Sequence, residues 1–200
     1  MTRPVAGGRH QLVAQPSTMS APNIAESTTR NDSEAPKSPS SNTATSDVPD
    51  EHAVSEEEAE LYYTGLPSKP RLVYRTGKKW SPPRGPWAHP PPKELRGVSA
   101  DHPIKDVWNE ELGVKIVEVM DDHKIKFTSI DLVRFRTDHS FLGGEVEEPS
   151  FSPVTIWIGV FPGSTTATAA HNAAQDVLAL LKNYQITDVD VDFRESVTWP

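Results

Sequence analysis

The sequence contains no cysteine, and this absence alone excludes several classes of protein. A chain without thiols has no disulfide framework, no cysteine-ligated zinc and no thiol nucleophile. It also lacks any run approaching the ~18 apolar residues of a membrane span, and residues 1–14 lack the apolar stretch of a secretory signal peptide. We therefore expect no membrane insertion and no secretion, and predict an intracellular protein, cytoplasmic or nuclear.

Aromatic residues are absent from residues 1–61, and all 15 of them follow, beginning with Tyr62. Residues 17–46 are instead rich in Ser and Thr, with scattered Pro and Asn. Such a stretch buries too little apolar surface to offset the entropy lost on ordering. Residues 1–61 are therefore predicted to be a disordered, acidic, Ser/Thr/Pro-rich leader, and the core must come from the later part of the chain.

Charge is divided into three blocks that the net value of −8 conceals. Residues 1–61 contain 4 basic and 10 acidic side chains, residues 62–100 contain 8 and 1, and residues 101–200 contain 8 and 17. The net charges of the three blocks are therefore −6, +7 and −9. Opposed blocks attract each other. The basic, Pro-rich segment 62–100 is therefore expected to lie as a strap or linker across its own acidic domain, or else to serve as a partner-binding arm.

Hydrophobic periodicity predicts a small α+β domain over residues 101–200. With a short first strand in the basic segment, the order is β-α-β-β-α-β, which is typical of a ferredoxin-like fold. That fold is a small antiparallel sheet with two helices on one face. A change of phase after residue 127 indicates a bulge or two short strands. The predicted elements are strand 71–75, helix 103–120, strands within 124–135, strand 154–161, helix 165–183 and strand 187–197.

Three stretches of the chain resemble a family of uncharacterised fungal proteins. The similarity rests on Tyr62–Leu72, on Ile156–Val160, and on Ile186–Val189 with Arg194–Val197, and it covers roughly residues 60–198. The resemblance implies no chemistry. Because this region looks like the amino-terminal part of longer relatives, the resemblance also implies that a downstream region is missing here.

No metal or cofactor site is predicted. The seven histidines never recur at the i, i+3 or i, i+4 spacing that aims two side chains at one metal. Asp188, Asp190 and Asp192 alternate along a strand and point the same way, which would suit a hard cation. Such a cation needs ligands from several directions, so a solvated strand face is the favoured interpretation.

An anion seat is predicted at Gly163, Ser164 and Thr165, where a strand turns into a helix. Free N–H groups at a helix amino terminus favour anions. The segment lacks the lysine of a P-loop and the spacing of a dinucleotide-binding turn, so ordinary helix capping is the competing interpretation. The chain also has no G-x-S-x-G nucleophile elbow, so no catalytic residue is named.

A protein-binding site is predicted in the basic segment at Trp80, Pro83, Arg84, Pro86 and Trp87. The P-x-x-P spacing suits a polyproline II ligand. The favoured alternative is that both tryptophans fold back on the domain, since large aromatics are seldom left bare. Nucleic-acid binding is not expected, because the chain lacks an RNP1 pattern and the domain is acidic.

Phosphorylation is a further hypothesis for three serines. Ser38 and Ser81 each precede a proline, and Ser55 precedes three glutamates. Phosphate on Ser81 would weaken the positive block.

Three functions remain open on sequence grounds. The first is a non-catalytic interaction or regulatory domain, which the segmented charge and the missing catalytic motifs favour. The second is the amino-terminal fragment of a larger enzyme whose catalytic part lies downstream. The third is a linear-motif binder that acts through the basic Pro-rich segment.

Overall fold

The computed structural model of the protein describes residues 50–85, 88–139 and 148–196. These residues form four α-helices, one π-helical turn and six strands. The helices are α1 (Glu56–Leu61), α2 (Ile104–Val107), α3 (Gly113–Asp122) and α4 (Ala167–Asn183), with the π-helical turn at Trp108–Leu112. The strands are β1 (Leu72–Arg75), β2 (Lys93–Arg96), β3 (Phe127–Thr137), β4 (Ser150–Phe151), β5 (Val154–Val160) and β6 (Val189–Glu195).

The strands form one mixed sheet in the order β1-β6-β5-β3-β2, with β4 also paired to β3. β5 and β6 are parallel, and α4 connects them as in a βαβ unit. The pairs β1–β6, β3–β5, β2–β3 and β3–β4 are antiparallel. The predicted phase change in β3 appears as a register shift between Phe127 and Ser129, and the strand continues through it as one element.

The predicted ferredoxin-like order and the purely antiparallel sheet are wrong, although the α+β class is confirmed. In a ferredoxin-like sheet the first strand lies in the centre and the last strand lies at the edge beside it. Here β1 is at the edge and β6 lies between β1 and β5. The reason is that α4 carries the chain directly from β5 to its parallel neighbour, so β6 takes the inner position and β1 pairs outside it.

One face of the sheet packs against α2, α3 and α4. Side chains from alternate positions of β5 and β6, such as Ile156, Ile158 and Phe193, are fully buried there. α4 contributes a stripe of small and apolar residues that includes Ala170, Ala174, Val177 and Leu181, while Ile116 and Met120 come from α3. The small side chains let α4 lie close to the sheet.

The opposite face carries a second apolar cluster that the chain upstream of β1 covers. Tyr63 and Leu66 pack against Leu72, Phe135 and Trp157 of the sheet. Gly65 makes this approach possible, because its φ is +95° and a Cβ there would lie 2.8 Å from the backbone of Lys93. Lys93 N–H donates to the carbonyl oxygen of Thr64 at 2.7 Å, which ties this segment to β2.

Folded structure extends into the range predicted as leader. α1 lies within residues 1–61, its Ala59 is buried, and the side chain of Ser55 caps it by accepting the N–H of Glu58. Residues 62–100 contribute β1, β2 and part of the second cluster, so they are integral to the domain where they are described. The division into three regions otherwise stays a prediction.

Candidate functional site

A buried polar network lies on the sheet face that the upstream segment covers. Asp192, on β6, is only 2% exposed, and the hydroxyl of Tyr63 donates to its carboxylate at 2.9 Å. Asp190 is partly buried on the same face, whereas the Asp188 side chain is 73% exposed and lies 3.3 Å from the Nε2 atom of His102. The predicted solvated face is therefore wrong for Asp192, because the segment that carries Tyr63 lies over it.

Burial shifts the proton affinity of two groups in this network. The pKa of Asp192 is raised from 3.8 to about 7 by loss of hydration, against the opposing effects of the Tyr63 hydroxyl and the Arg75 charge. The pKa of Lys93 is lowered from 10.5 to about 8, also by burial, and the charge of Asp192 opposes this shift. The Lys93 Nζ atom lies 3.2 Å from the ring centroid of Tyr62, which supplies a cation–π contact.

An ion pair joins α1 to the edge strand β1. The Nε atom of Arg75 lies 2.6 Å from the carboxylate of Glu58, with side chains 6% and 14% exposed. The Arg75 guanidinium also lies 4.7 Å from the centroid of the Tyr62 ring. Arg71, directly before β1, contacts Glu56 and Glu60. The acidic helix α1 thus lies against basic residues of segment 62–100, although the sequence predicts disorder for the range that contains α1.

Two depressions open beside this network. The Trp80 cleft, of 440 Å³, has Tyr62, Arg75, Lys78, Lys79, Trp80 and Asp190 in its lining. The Ser55 cleft, of 560 Å³, has Ser55, Glu57, Glu58, Arg75, Lys79 and Trp80 in its lining. Because Arg75, Lys79 and Trp80 line both, the two clefts meet along residues 77–80.

Residues 78–80, which all line the Trp80 cleft, have few partners of their own. Lys78 and Lys79 are exposed, and neither forms a hydrogen bond or ion pair with any residue that the structure describes. Trp80 is half-buried and stacks on no aromatic ring in the described part of the chain. Two free cations and an indole ring therefore face the concave surface.

The structure describes three of the five predicted partner-binding residues, namely Trp80, Pro83 and Arg84. Pro83 and Arg84 line a third depression, of 310 Å³, together with Trp80. Pro86 and Trp87 lie outside the described residues. The structure thus brings Trp80, Pro83 and Arg84 together and leaves the P-x-x-P motif as a prediction.

One residue of the predicted anion seat, Gly163, contacts a carboxylate of the chain itself. Gly163 N–H donates to the carboxylate of Glu195 at 2.9 Å, and Ser164 Oγ donates to a backbone carbonyl. α4 begins later than predicted, with Thr166 as its cap. Its exposed N–H at Thr168 donates to the carboxylate of Asp50 at 2.9 Å. Whether Gly163, Ser164 and Thr165 take an external anion stays a prediction.

Neither a metal centre nor a membrane span is found in the described ranges. They contain no group of three or more His, Asp or Glu side chains arranged to hold a metal ion. No helix among them is both long and apolar enough to cross a bilayer.

Comparison of this chain with protein-family models, with curated proteins and with solved structures found no match. The resemblance to a fungal family stays a prediction, and function has to be argued from the residues of the site.

Sequence reasoning missed the residues that build this site. Tyr62, Tyr63 and Lys93 lie in a segment interpreted as a strap, and nothing in the local pattern pairs them with Asp192, 129 positions after Tyr63. The available signal was the abrupt start of aromatic residues at Tyr62 directly after an acidic run.

Proposed function

We propose that this domain is a non-catalytic interaction module that binds an acidic segment of a partner protein in the Trp80 cleft. The observation that carries the proposal is the pair Lys78 and Lys79. Both lysines line the Trp80 cleft, Lys79 also lines the Ser55 cleft, and neither has a hydrogen-bond or ion-pair partner among the described residues. The proposal makes the favoured sequence hypothesis specific by naming the surface and the charge of its ligand.

The chemistry of the cleft suits carboxylates on an extended chain. Lys78 and Lys79 would pair with carboxylates, while the Trp80 and Tyr62 rings would contact the aliphatic parts of the ligand. Trp, Tyr and Arg commonly dominate the energetics of protein interfaces, and Trp80, Tyr62 and Arg75 all line this cleft. The two clefts share one wall, and the acidic ligand is placed in the Trp80 cleft because Glu57 and Glu58 line the Ser55 cleft.

The distribution of charge also favours an acidic ligand over a basic one, because it affects the rate of association. Residues 62–100 carry 8 basic and 1 acidic side chains, whereas residues 101–200 carry 8 and 17. A concentrated positive region on an otherwise acidic surface steers an acidic partner toward it and repels that partner elsewhere.

The buried network around Tyr63 and Asp192 is proposed to have a structural role, and it is not proposed as a catalytic centre. Perturbed pKa values often mark active sites, but enclosed structural networks produce them too. Tyr63 and Asp192 are each only 2% exposed, so a substrate would meet neither group in this structure. The network holds β1 and the upstream segment against the sheet and thereby positions Arg75 and Tyr62 in the cleft.

The other sequence hypotheses keep their place as predictions. An enzyme whose catalytic part lies downstream would make this region a supporting domain, and a linear-motif binder would use Pro83 and Pro86. For neither of these two hypotheses do the described residues provide an observation comparable to the unpaired Lys78 and Lys79. The intracellular location likewise stays a prediction.

The proposal is tested by titrating the full chain into a fluorescein-labelled Asp/Glu-rich peptide and recording anisotropy. The double variant Lys78→Gln with Lys79→Gln is expected to bind at least about tenfold more weakly, since two charge-assisted contacts are lost. The matched control is Lys105→Gln with Lys126→Gln, which removes the same charge from two exposed lysines outside both clefts. The control is expected to bind nearly as well as the unaltered chain.

Two outcomes would overturn the proposal. Equal weakening in both double variants would mean that the peptide responds only to net charge. Charge contacts are strongest at low salt. If the unaltered chain does not bind the peptide at low salt, the proposed binding function is wrong.

A further inference from the structure

We infer that Ser55 is a phosphorylation site for an acid-directed Ser/Thr kinase, and that its phosphate engages Lys79 across the Ser55 cleft. The statement that phosphorylation weakens ligand binding rests on the proposed function. The modification itself and the contact with Lys79 do not depend on that function.

The surroundings of Ser55 match the requirements of such a kinase. The side chain is exposed, and Glu56, Glu57 and Glu58 follow it directly. A kinase with a basic substrate groove selects serines with acidic flanks by charge complementarity, and rejects serines in basic surroundings for the same reason. Ser81 lies in the basic segment and is therefore disfavoured for this enzyme class, and Ser38 lies outside the described residues.

The phosphoryl transfer is an ordinary displacement with ATP as co-reactant. Ser55 Oγ forms a bond to the γ-phosphorus while the bond from that phosphorus to the β–γ bridging oxygen breaks. ADP leaves with the bridging oxygen, and the hydroxyl proton passes to the catalytic carboxylate of the kinase.

The cleft supplies a partner for the new charge. Phosphoserine carries about −1.5 to −2 charges and three acceptor oxygens. Ser55 and Lys79 line the same 560 Å³ depression, and Lys79 has no ion pair among the described residues. Arg75 is already paired with Glu58 at 2.6 Å. Lys79 is therefore the cation in this cleft that is available to the phosphate.

This contact would regulate the Trp80 cleft because Lys79 lines both depressions. A lysine that pairs with phosphate on one side is not available to a ligand carboxylate on the other. The phosphate also adds negative charge close to an acidic ligand. Phosphorylation of Ser55 is thus expected to lower affinity for the acidic segment.

The experiment treats the full chain with an acid-directed Ser/Thr kinase and ATP, then maps phosphate by peptide mass spectrometry. The control is Ser55→Asn, which keeps a side chain able to cap α1 but offers no hydroxyl for transfer. Phosphate is expected on Ser55 in the unaltered chain and on no peptide spanning residues 50–61 in the control.

Hydrogen exchange then tests the contact with Lys79. Exchange of peptides covering residues 77–82 is expected to slow at least about threefold on phosphorylation, since the phosphate restrains this segment. Lys79→Gln is expected to abolish the slowing. Lys78→Gln is expected to keep it, because Lys78 lines only the Trp80 cleft. Affinity for the labelled acidic peptide is expected to fall about tenfold, as for loss of one charge-assisted contact.

The outcomes distinguish failure of the Ser55 inference from failure of the proposed function. No phosphate on Ser55, or phosphate with unchanged exchange at residues 77–82, overturns the inference. Failure of the unphosphorylated chain to bind the peptide overturns the proposed function alone, because mapping and exchange still test Ser55 and Lys79.

Discussion

Replacing Asp192 with asparagine is expected to remove most of a pH dependence of folding stability. The pKa of Asp192 is about 7 in the folded protein, and its ordinary value is 3.8. Between these values the unfolded chain has lost the proton that the folded chain retains. The folded state therefore binds more protons, and the free energy of unfolding decreases as pH rises through this window.

The size of this effect follows from the separation of the two pKa values. They are about three pH units apart, and each unit corresponds to about 1.4 kcal/mol, so stability falls by about 4 kcal/mol between about pH 4 and pH 7. An asparagine side chain at this position cannot ionise, so the variant should not show this loss. Asp190 also has a raised pKa because of burial, so the variant keeps a smaller decline of the same sign.

Urea unfolding at about pH 4.5 and about pH 8 measures this difference. At each pH, the free energy of unfolding of Asp192→Asn is compared with that of the unaltered chain, and the two differences are then compared with each other. A loss of packing energy that is the same at both pH values does not change this comparison. Asp188→Asn, in the exposed segment before β6, is the control and should keep the original decline. Parallel pH profiles for the unaltered chain and Asp192→Asn would refute the reasoning.

Three further substitutions test other contacts, each by urea unfolding at pH 7. Arg75→Met is expected to cost about 3–5 kcal/mol because it leaves the Glu58 carboxylate without its buried partner, and adding Glu58→Gln should recover part of that loss. Gly159→Ala is expected to cost about 1–3 kcal/mol, since the new Cβ would lie 2.6 Å from a threonine hydroxyl, whereas Gly97→Ala meets nothing within 4 Å and should be nearly neutral. Thr166→Ala should cost about 1 kcal/mol through loss of the cap of α4, and unchanged stability in any of the three would contradict the contact concerned.

The central strand β5 and the helix α4 could be predicted from the sequence because local pattern determines them, whereas α1, β2 and β4 were not predicted. The apolar run 154–161 predicts a central strand covered on both faces, and all residues of β5 are buried. The helix predicted at 165–183 is α4, shortened by two residues because Thr166 provides the cap. Periodicity and capping are properties of neighbouring residues and need no knowledge of the tertiary fold.

The arrangement of the strands could not be predicted in the same way. The order β-α-β-β-α-β along the chain is compatible with more than one spatial order. The position of β6 between β1 and β5 depends on which strand pairs with β1, and that choice is made by contacts distant in sequence. Local pattern carries no information about it.

The candidate site shows the same limit at the level of side chains. The alternation of Val189 and Val191 with Asp190 and Asp192 correctly predicts a strand with two unlike faces. It does not reveal what covers the polar face. Tyr63 covers Asp192 from a segment that composition assigned to a strap, so an apparently solvated carboxylate became a buried one.

Mapping amide chemical-shift changes in the full chain during titration with an acidic peptide tests the central claim most directly. The account predicts that the changes concentrate at residues 75–81, at Tyr62 and at Asp190, and that added salt suppresses them. Changes confined to another surface, or spread evenly over exposed lysines such as Lys105 and Lys126, would contradict the assignment of the Trp80 cleft as the binding surface.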